Sequence, residues 1–306
     1  MRGWWQDLTD LVLPADCAGC GAPRTALCPR CRAVLHGSAA QRARPVPEPA
    51  GLPVVHAVAP YAAEVRTLLL AHKERGALTL TGALGTALAG AVRASLGTDG
   101  GGGVRPGGGA SGGAGSAGSA RWPGCGPVLL VPVPSARWAV RARGHDPVRR
   151  MALAAAGELR RTGTPARVAA VLRQRRAVAD QAGLDARRRL ENLAGALEVS
   201  PGGGRLLGAG RVVLVDDLMT TGASLAEAAR ALRETAVSRR EGRRAVYAVY
   251  EAITREGREE RWIGAPREGR ESVHSAPENA APNALRRVLH AAVIAAPRDS
   301  FEMNRN

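Results

Sequence analysis

A chain of 306 residues with 45% hydrophobic content can build one full core plus a small extra module, and excludes two large domains. Its net charge of +16, from 43 Lys and Arg against 27 Asp and Glu, favours phosphorylated or polyanionic partners. No apolar run reaches the ~18 residues a membrane span needs, and no signal-peptide core opens the chain, so a cytoplasmic protein is expected.

The opening MRGWWQDLTDLVLP has Trp4, Trp5, Leu8, Leu11 and Val12 near helical spacing and reads as an amphipathic helix docked on the protein. Cys17, Cys20, Cys28 and Cys31 follow as two C-x-x-C pairs. Each pair makes a turn whose thiolates converge, and four thiolates complete a closed tetrahedral Zn²⁺ site with a structural role. The rival reading, redox chemistry at one C-x-x-C, needs only a single pair beside a βαβ pattern. The helix and the four-cysteine module occupy residues 1–40, and the Pro-rich stretch over 41–53 reads as a semi-rigid linker.

A strand is predicted at VVHAVAPY and a helix over 64–76, ending in the basic group His72, Lys73 and Arg75, where cations suit a helix C-terminus. A second, Ala- and Leu-rich helix continues over 77–96. Residues 97–126 are nearly all Gly, Ser and Ala and cannot offset their conformational entropy by burial, which predicts a disordered insertion. VLLVPVP at 128 is a buried strand, leading to a basic loop with Arg137, Arg141, Arg143 and His145, in which Gly144 allows close backbone approach. Such a loop at a strand end suits a pyrophosphate, although solvated arginines are common in this chain. A helix over 147–162, a strand over 166–172 and a helix bearing Arg187, Arg188, Arg189 and Asn192 come next. A strand is predicted over 245–250 and a mobile tail over 255–306, with one candidate docking helix, LRRVLHAAVIAA, at 285–296.

The densest chemistry lies in RVVLVDDLMTTGASL, residues 211–225. Val212 to Val215 form a β-branched run that reads as a buried parallel strand. Asp216 and Asp217 fall at its carboxyl end, where open α/β sheets bind ligands. Thr220, Thr221 and Gly222 then precede a helical pattern beginning at Ser224, and a helix N-terminus offers free N–H donors to a phosphate. Carboxylates would repel that phosphate but accept hydrogen bonds from two vicinal hydroxyls. An ordinary Asp- and Thr-rich turn capping a helix is the plainer alternative.

This stretch resembles the 5-phosphoribosyl 1-pyrophosphate (PRPP) signature of type I phosphoribosyltransferases. With the double C-x-x-C, HKERG and VPVPSARWAVRARGHDP in the same order, the chain from about Cys17 to Tyr250 resembles the ComF family, competence-associated proteins related to those enzymes. The resemblance implies a phosphoribosyltransferase fold over 54–254, a parallel sheet with helices on both faces. It implies that Asp216 and Asp217 hold the ribose hydroxyls, and that Met219, Thr220, Thr221, Gly222, Ala223 and Ser224 cradle the 5′-phosphate. Lys73 or Arg143, the two candidate catalytic cations, would take the pyrophosphate of Mg²⁺-PRPP, and Gly144, Gln181, Arg187 and Asn192 match other recurring positions. Glu74 and His145 stand where family members often carry aromatics. Two functions follow as alternatives: phosphoribosyl transfer to a nitrogen acceptor, or a non-catalytic PRPP sensor or scaffold that binds single-stranded DNA or a DNA-uptake partner. Scarce aromatics weigh against the DNA reading.

Overall fold

A computed structural model describes residues 16–97, 126–178, 185–236 and 289–301. The expected N-terminal helix, the Gly-rich insertion apart from its ends, Gln181 and the strand over 245–250 lie outside these described residues.

Chain order gives α1 (Pro29–His36), β1 (Gln41–Ala43), β2 (Val54–Pro60), α2 (Ala63–Glu74), a 3₁₀ turn (Leu78–Leu80) and α3 (Thr81–Gly97). Then come β3 (Val128–Pro132), α4 (Arg137–Arg143), α5 (Pro147–Arg161), β4 (Ala166–Val168), β5 (Leu172–Gln174), α6 (Ala186–Leu193), β6 (Leu197–Val199), α7 (Gly203–Leu207) and β7 (Arg211–Leu218). A helix over 223–236, α8, the strand β8 (His290–Ala296) and a second 3₁₀ turn (Arg298–Ser300) are the last among the described residues.

Six strands form a mixed sheet in the order β1-β2-β8-β7-β3-β4, all neighbours parallel except β1 against β2. β5 and β6 pair as a separate antiparallel ribbon. Strand β7 lies between β3 and β8, and its side chains alternate between two cores, as the two-residue period of a strand requires. Val213 and Val215 join Leu84, Leu88, Met151 and Leu159 on the α3 and α5 face. Val212 and Leu214 join Leu207, Leu225, Ala229 and Leu232 on the α7 and α8 face. A strand buried on both faces has no reason to alternate polar and apolar residues, which accounts for the unbroken run VVLV.

Three expectations are corrected. The segment 285–296, expected as a docking helix in a mobile tail, instead supplies β8, hydrogen-bonded to β2 on one side and β7 on the other. All seven β8 residues are buried. An apolar run this short fits a helix or a strand equally, and only its neighbours choose. The stretch over 41–53 is also built into the fold: Gln41–Ala43 pairs with β2, Arg44 N–H donates to Ser300 O at 2.6 Å, and Arg233 Nη1 donates to Gly51 O at 2.8 Å. The strand predicted over 166–172 divides, with Ala166–Val168 in the main sheet and Leu172–Gln174 in the ribbon.

No single helix among the described residues is long and apolar enough to cross a membrane. The bent pair formed by α2 and residues 78–97 is apolar because it covers the sheet, with Leu68, Leu84 and Leu88 fully buried.

Candidate functional site

Strand order reverses at β3, whose chain continues to β4 on one side while β7 lies on the other. Ligands of open α/β sheets bind outside the strand ends at such a reversal. There a cleft of about 600 Å³ opens. Its walls include Ser135 and Trp138 after β3, Lys73 and Glu74 of α2, Arg143 of α4, Arg189 of α6, and Asp216, Asp217, Thr220 and Ser224 from β7 onward. The basic segment after β3, expected as a loop, is largely the short helix α4.

The two acids have different environments although they are adjacent. Alternation along β7 sends Asp217 toward α2, where Lys73 Nζ donates to its Oδ2 at 2.8 Å across 144 residues of sequence. Asp216 Oδ1 accepts from the Asp217 backbone N–H at 2.9 Å. Both side chains are buried. Burial, and then the charge of Asp217, push the Asp216 carboxyl well above the usual carboxylate range. Burial also acts to raise Asp217, but the charge and hydrogen bond of Lys73, with a further bond to Asp216, outweigh it and hold Asp217 below that range. The Lys73 ammonium is raised by Asp217 against the opposing effect of burial. Of the pair, Asp217 is the one that keeps its charge, held by Lys73, while Asp216 is the one that burial and its neighbour's charge drive toward the protonated form.

The loop after β7 separates into parts. Met219 N–H donates to Ala295 O at 3.0 Å and its side chain is buried in the core, so both are committed to the fold. Thr220 is exposed, and Arg189 Nη1 lies 3.5 Å from its hydroxyl. Gly222 has φ +77, so the turn requires glycine in its conformation, while the Cβ of any other residue would meet only the movable end of the Leu52 side chain, at 2.9 Å from Cδ1. Ala226 N–H closes on Gly222 O at 2.9 Å, and the amides before it are those a helix leaves without intrahelical acceptors. Ala223 is buried beside Val178 and Leu193, while Ser224 lines the cleft.

Other expected residues fall elsewhere. Arg187 is exposed and pairs with Glu191 at 2.9 Å, and neither it nor Asn192 lines the cleft. Arg189 and Leu193 do, one helical turn apart on α6. Arg143 Nη1 pairs with Glu74 Oε1 at 3.0 Å. Sequence reading did not single out Trp138 or Gln174 for the cleft. The signal available was that one follows β3 closely and the other ends β5.

The cysteines do converge. Their four Sγ atoms lie within 4.8 Å of one another, with Cys20 and Cys28 sulfurs at 3.5 Å, and a tetrahedral zinc with ~2.3 Å bonds sets its sulfurs about 3.8 Å apart. Backbone N–H groups of Cys28 and Cys31 point at the sulfurs of Cys17 and Cys28, at 3.3 and 3.4 Å, as suits thiolate charge. This donor set can hold a metal ion such as zinc. The module also belongs to the main core: Gly19 lies against Cys31 Sγ and Leu68 of α2, and Arg30 pairs with Glu64 of α2 at 2.9 Å.

No protein-family model matches the chain, and no curated protein is similar to it.

Proposed function

We propose that this protein binds Mg²⁺-PRPP and is a phosphoribosyltransferase-like member of the ComF family. One observation carries the reading: two adjacent acids at the carboxyl end of β7 lead directly into a glycine-pinned turn at the start of α8, within a cleft that Lys73 and Arg143 also line. In this reading Asp216 and Asp217 receive the ribose hydroxyls and the segment 220–224 receives the 5′-phosphate at a helix N-terminus. Lys73 and Arg143 face the pyrophosphate, as its departure from C1 in favour of a nitrogen acceptor demands charge stabilisation more than covalent chemistry. The carboxylates and phosphates offer the oxygen ligands that Mg²⁺ prefers. Zinc at the four-cysteine cluster is structural.

Calorimetric titration of Mg²⁺-PRPP into the purified protein and into an Asp216→Asn, Asp217→Asn double variant tests this. Binding by the wild type, weakened about tenfold or more in the variant, is the expected outcome. A wild type that does not bind PRPP, or a variant that binds equally well, removes the proposal.

A second reading, single-stranded nucleic acid binding in DNA uptake, draws on the +16 charge and on Trp138, 58% exposed on a helix that also carries Arg137 and Arg141. Binding of an oligonucleotide that weakens steeply with salt, in a wild type indifferent to PRPP, would favour it.

A further inference from the structure

The two cations offered to a pyrophosphate sit on different elements, Lys73 on α2 and Arg143 at the end of α4. Each has a histidine close by in sequence. His72 precedes Lys73, and His145 follows Arg143 across Gly144, whose φ of +73 turns the chain back. The two rings meet edge to face, with centroids 6.2 Å apart and planes at 76°. His72 is 1% exposed, and its Nε2 lies 3.1 Å from Thr81 Oγ1. His145 Nδ1 lies 3.1 Å from the carbonyl oxygen of Arg143, so this nitrogen carries the hydrogen and donates. Its Nε2 is buried with no hydrogen-bond partner. A polar ring that leaves one nitrogen bare is placed there for its packing as much as for its hydrogen bond.

We propose that His145 is a positioning residue, whose ring packed on His72 fixes the span between Arg143 and Lys73 so that both cations meet one pyrophosphate. The inference rests on the PRPP reading above. Two links run through the same place: His145 holds the Arg143 backbone by its Nδ1–H, and Arg143 Nη1 reaches Glu74 Oε1, the residue after Lys73. The charges that act on His72 besides its partner ring come from Arg150 of α5 and Asp217 of β7. Burial, with His145 and Arg150 adding to it, holds His72 down to about 4, so the contact works between an uncharged His72 and its neighbour at ordinary pH.

The test compares two ligands. Ribose 5-phosphate needs only Asp216, Asp217 and the turn over 220–224, whereas PRPP also engages the two cations. Both are titrated with Mg²⁺ into the wild type, His145→Ala, His145→Asn and His145→Phe. The expected result is that Ala and Asn lose about tenfold or more in PRPP affinity. Ribose 5-phosphate affinity stays unchanged, and Phe, which keeps the ring contact without the hydrogen bond, retains most PRPP binding. A general structural role would weaken both ligands together. That outcome, equal PRPP affinity in all four proteins, or failure of Phe to exceed Asn would overturn the proposal. If the wild type binds neither ligand, the PRPP reading itself falls and takes this inference with it. PRPP binding that survives in His145→Ala overturns only the positioning role.

Discussion

Replacing Asp216 with Asn should make the protein more stable at neutral pH, although it removes a residue placed at the centre of the cleft. Asp216 is buried, sits beside a second carboxylate, and leaves the nearest cation to its neighbour, since Lys73 bonds Asp217. At neutral pH this buried carboxyl either ionises beside Asp217 or keeps a proton that the unfolded chain would release, and either choice costs the fold on the order of 2–3 kcal/mol. Attraction to Lys73 offsets part of this, and Asn keeps the oxygen that accepts from Asp217 N–H. A net gain of ~1–2 kcal/mol remains, in the range common for relief of charge strain at a site. For a folded unit of about 200 residues that raises Tm by about 2–8 °C. The pH dependence follows from the direction of the shift. The folded-state pKa of Asp216 lies above its unfolded value, so its favourable contribution is complete below the unfolded value near ~3.9 and is lost as pH rises through the folded one. The variant should therefore gain most over the wild type at pH 7.5 and less at pH 5. Scanning calorimetry of both proteins in phosphate-free buffer at the two pH values provides the measurement. A variant less stable than wild type at pH 7.5, or a gain that does not shrink at pH 5, would refute the reasoning.

Lys73→Met should act in the opposite sense, leaving two buried acids without their cation. Because Lys73 is about a third exposed, screening reduces the penalty to ~2 kcal/mol, read from urea denaturation at pH 7.5. Gly222→Ala should cost about 1–2 kcal/mol in the same assay, from a left-handed backbone that alanine adopts poorly. Metal analysis of the purified protein should find one equivalent of zinc. Its removal by a strong chelator should lower the melting temperature of the whole fold, because Cys17, Cys28, Cys31 and Leu35 share a core with Leu68 and Leu84. His56 lies buried in β2 beside His290, and burial first, then His290 and Arg42, lower it to about 4. Stability from its neutral form is present above ~6.5 and falls by about 3 kcal/mol as pH drops to 4, so His56→Leu should flatten that part of the stability profile measured by denaturant titration.

Local patterns carried much of this protein in plain view. The unbroken VVLV run, the acids that end it and the turn that follows are consecutive in sequence, and each is placed by backbone geometry that neighbouring residues determine. The cysteine spacing is equally local: two short turns bring the sulfurs together. The strand at 290–296 was not legible in this way. A histidine followed by six small and apolar residues satisfies a helix or a buried strand alike, and the choice is made by vacant hydrogen-bonding edges on β2 and β7 that come from distant parts of the chain. The cleft's composition has the same origin, since it is helix phase on α6 that presents Arg189 rather than Arg187. Above all, Asp216 and Asp217 are identical neighbours on paper. Only the sheet, which faces them to opposite sides, and the packing of α2, which brings Lys73 to one of them, separate their protonation. A charge's energy depends on what surrounds it in space, and that surrounding exists only once the chain has folded.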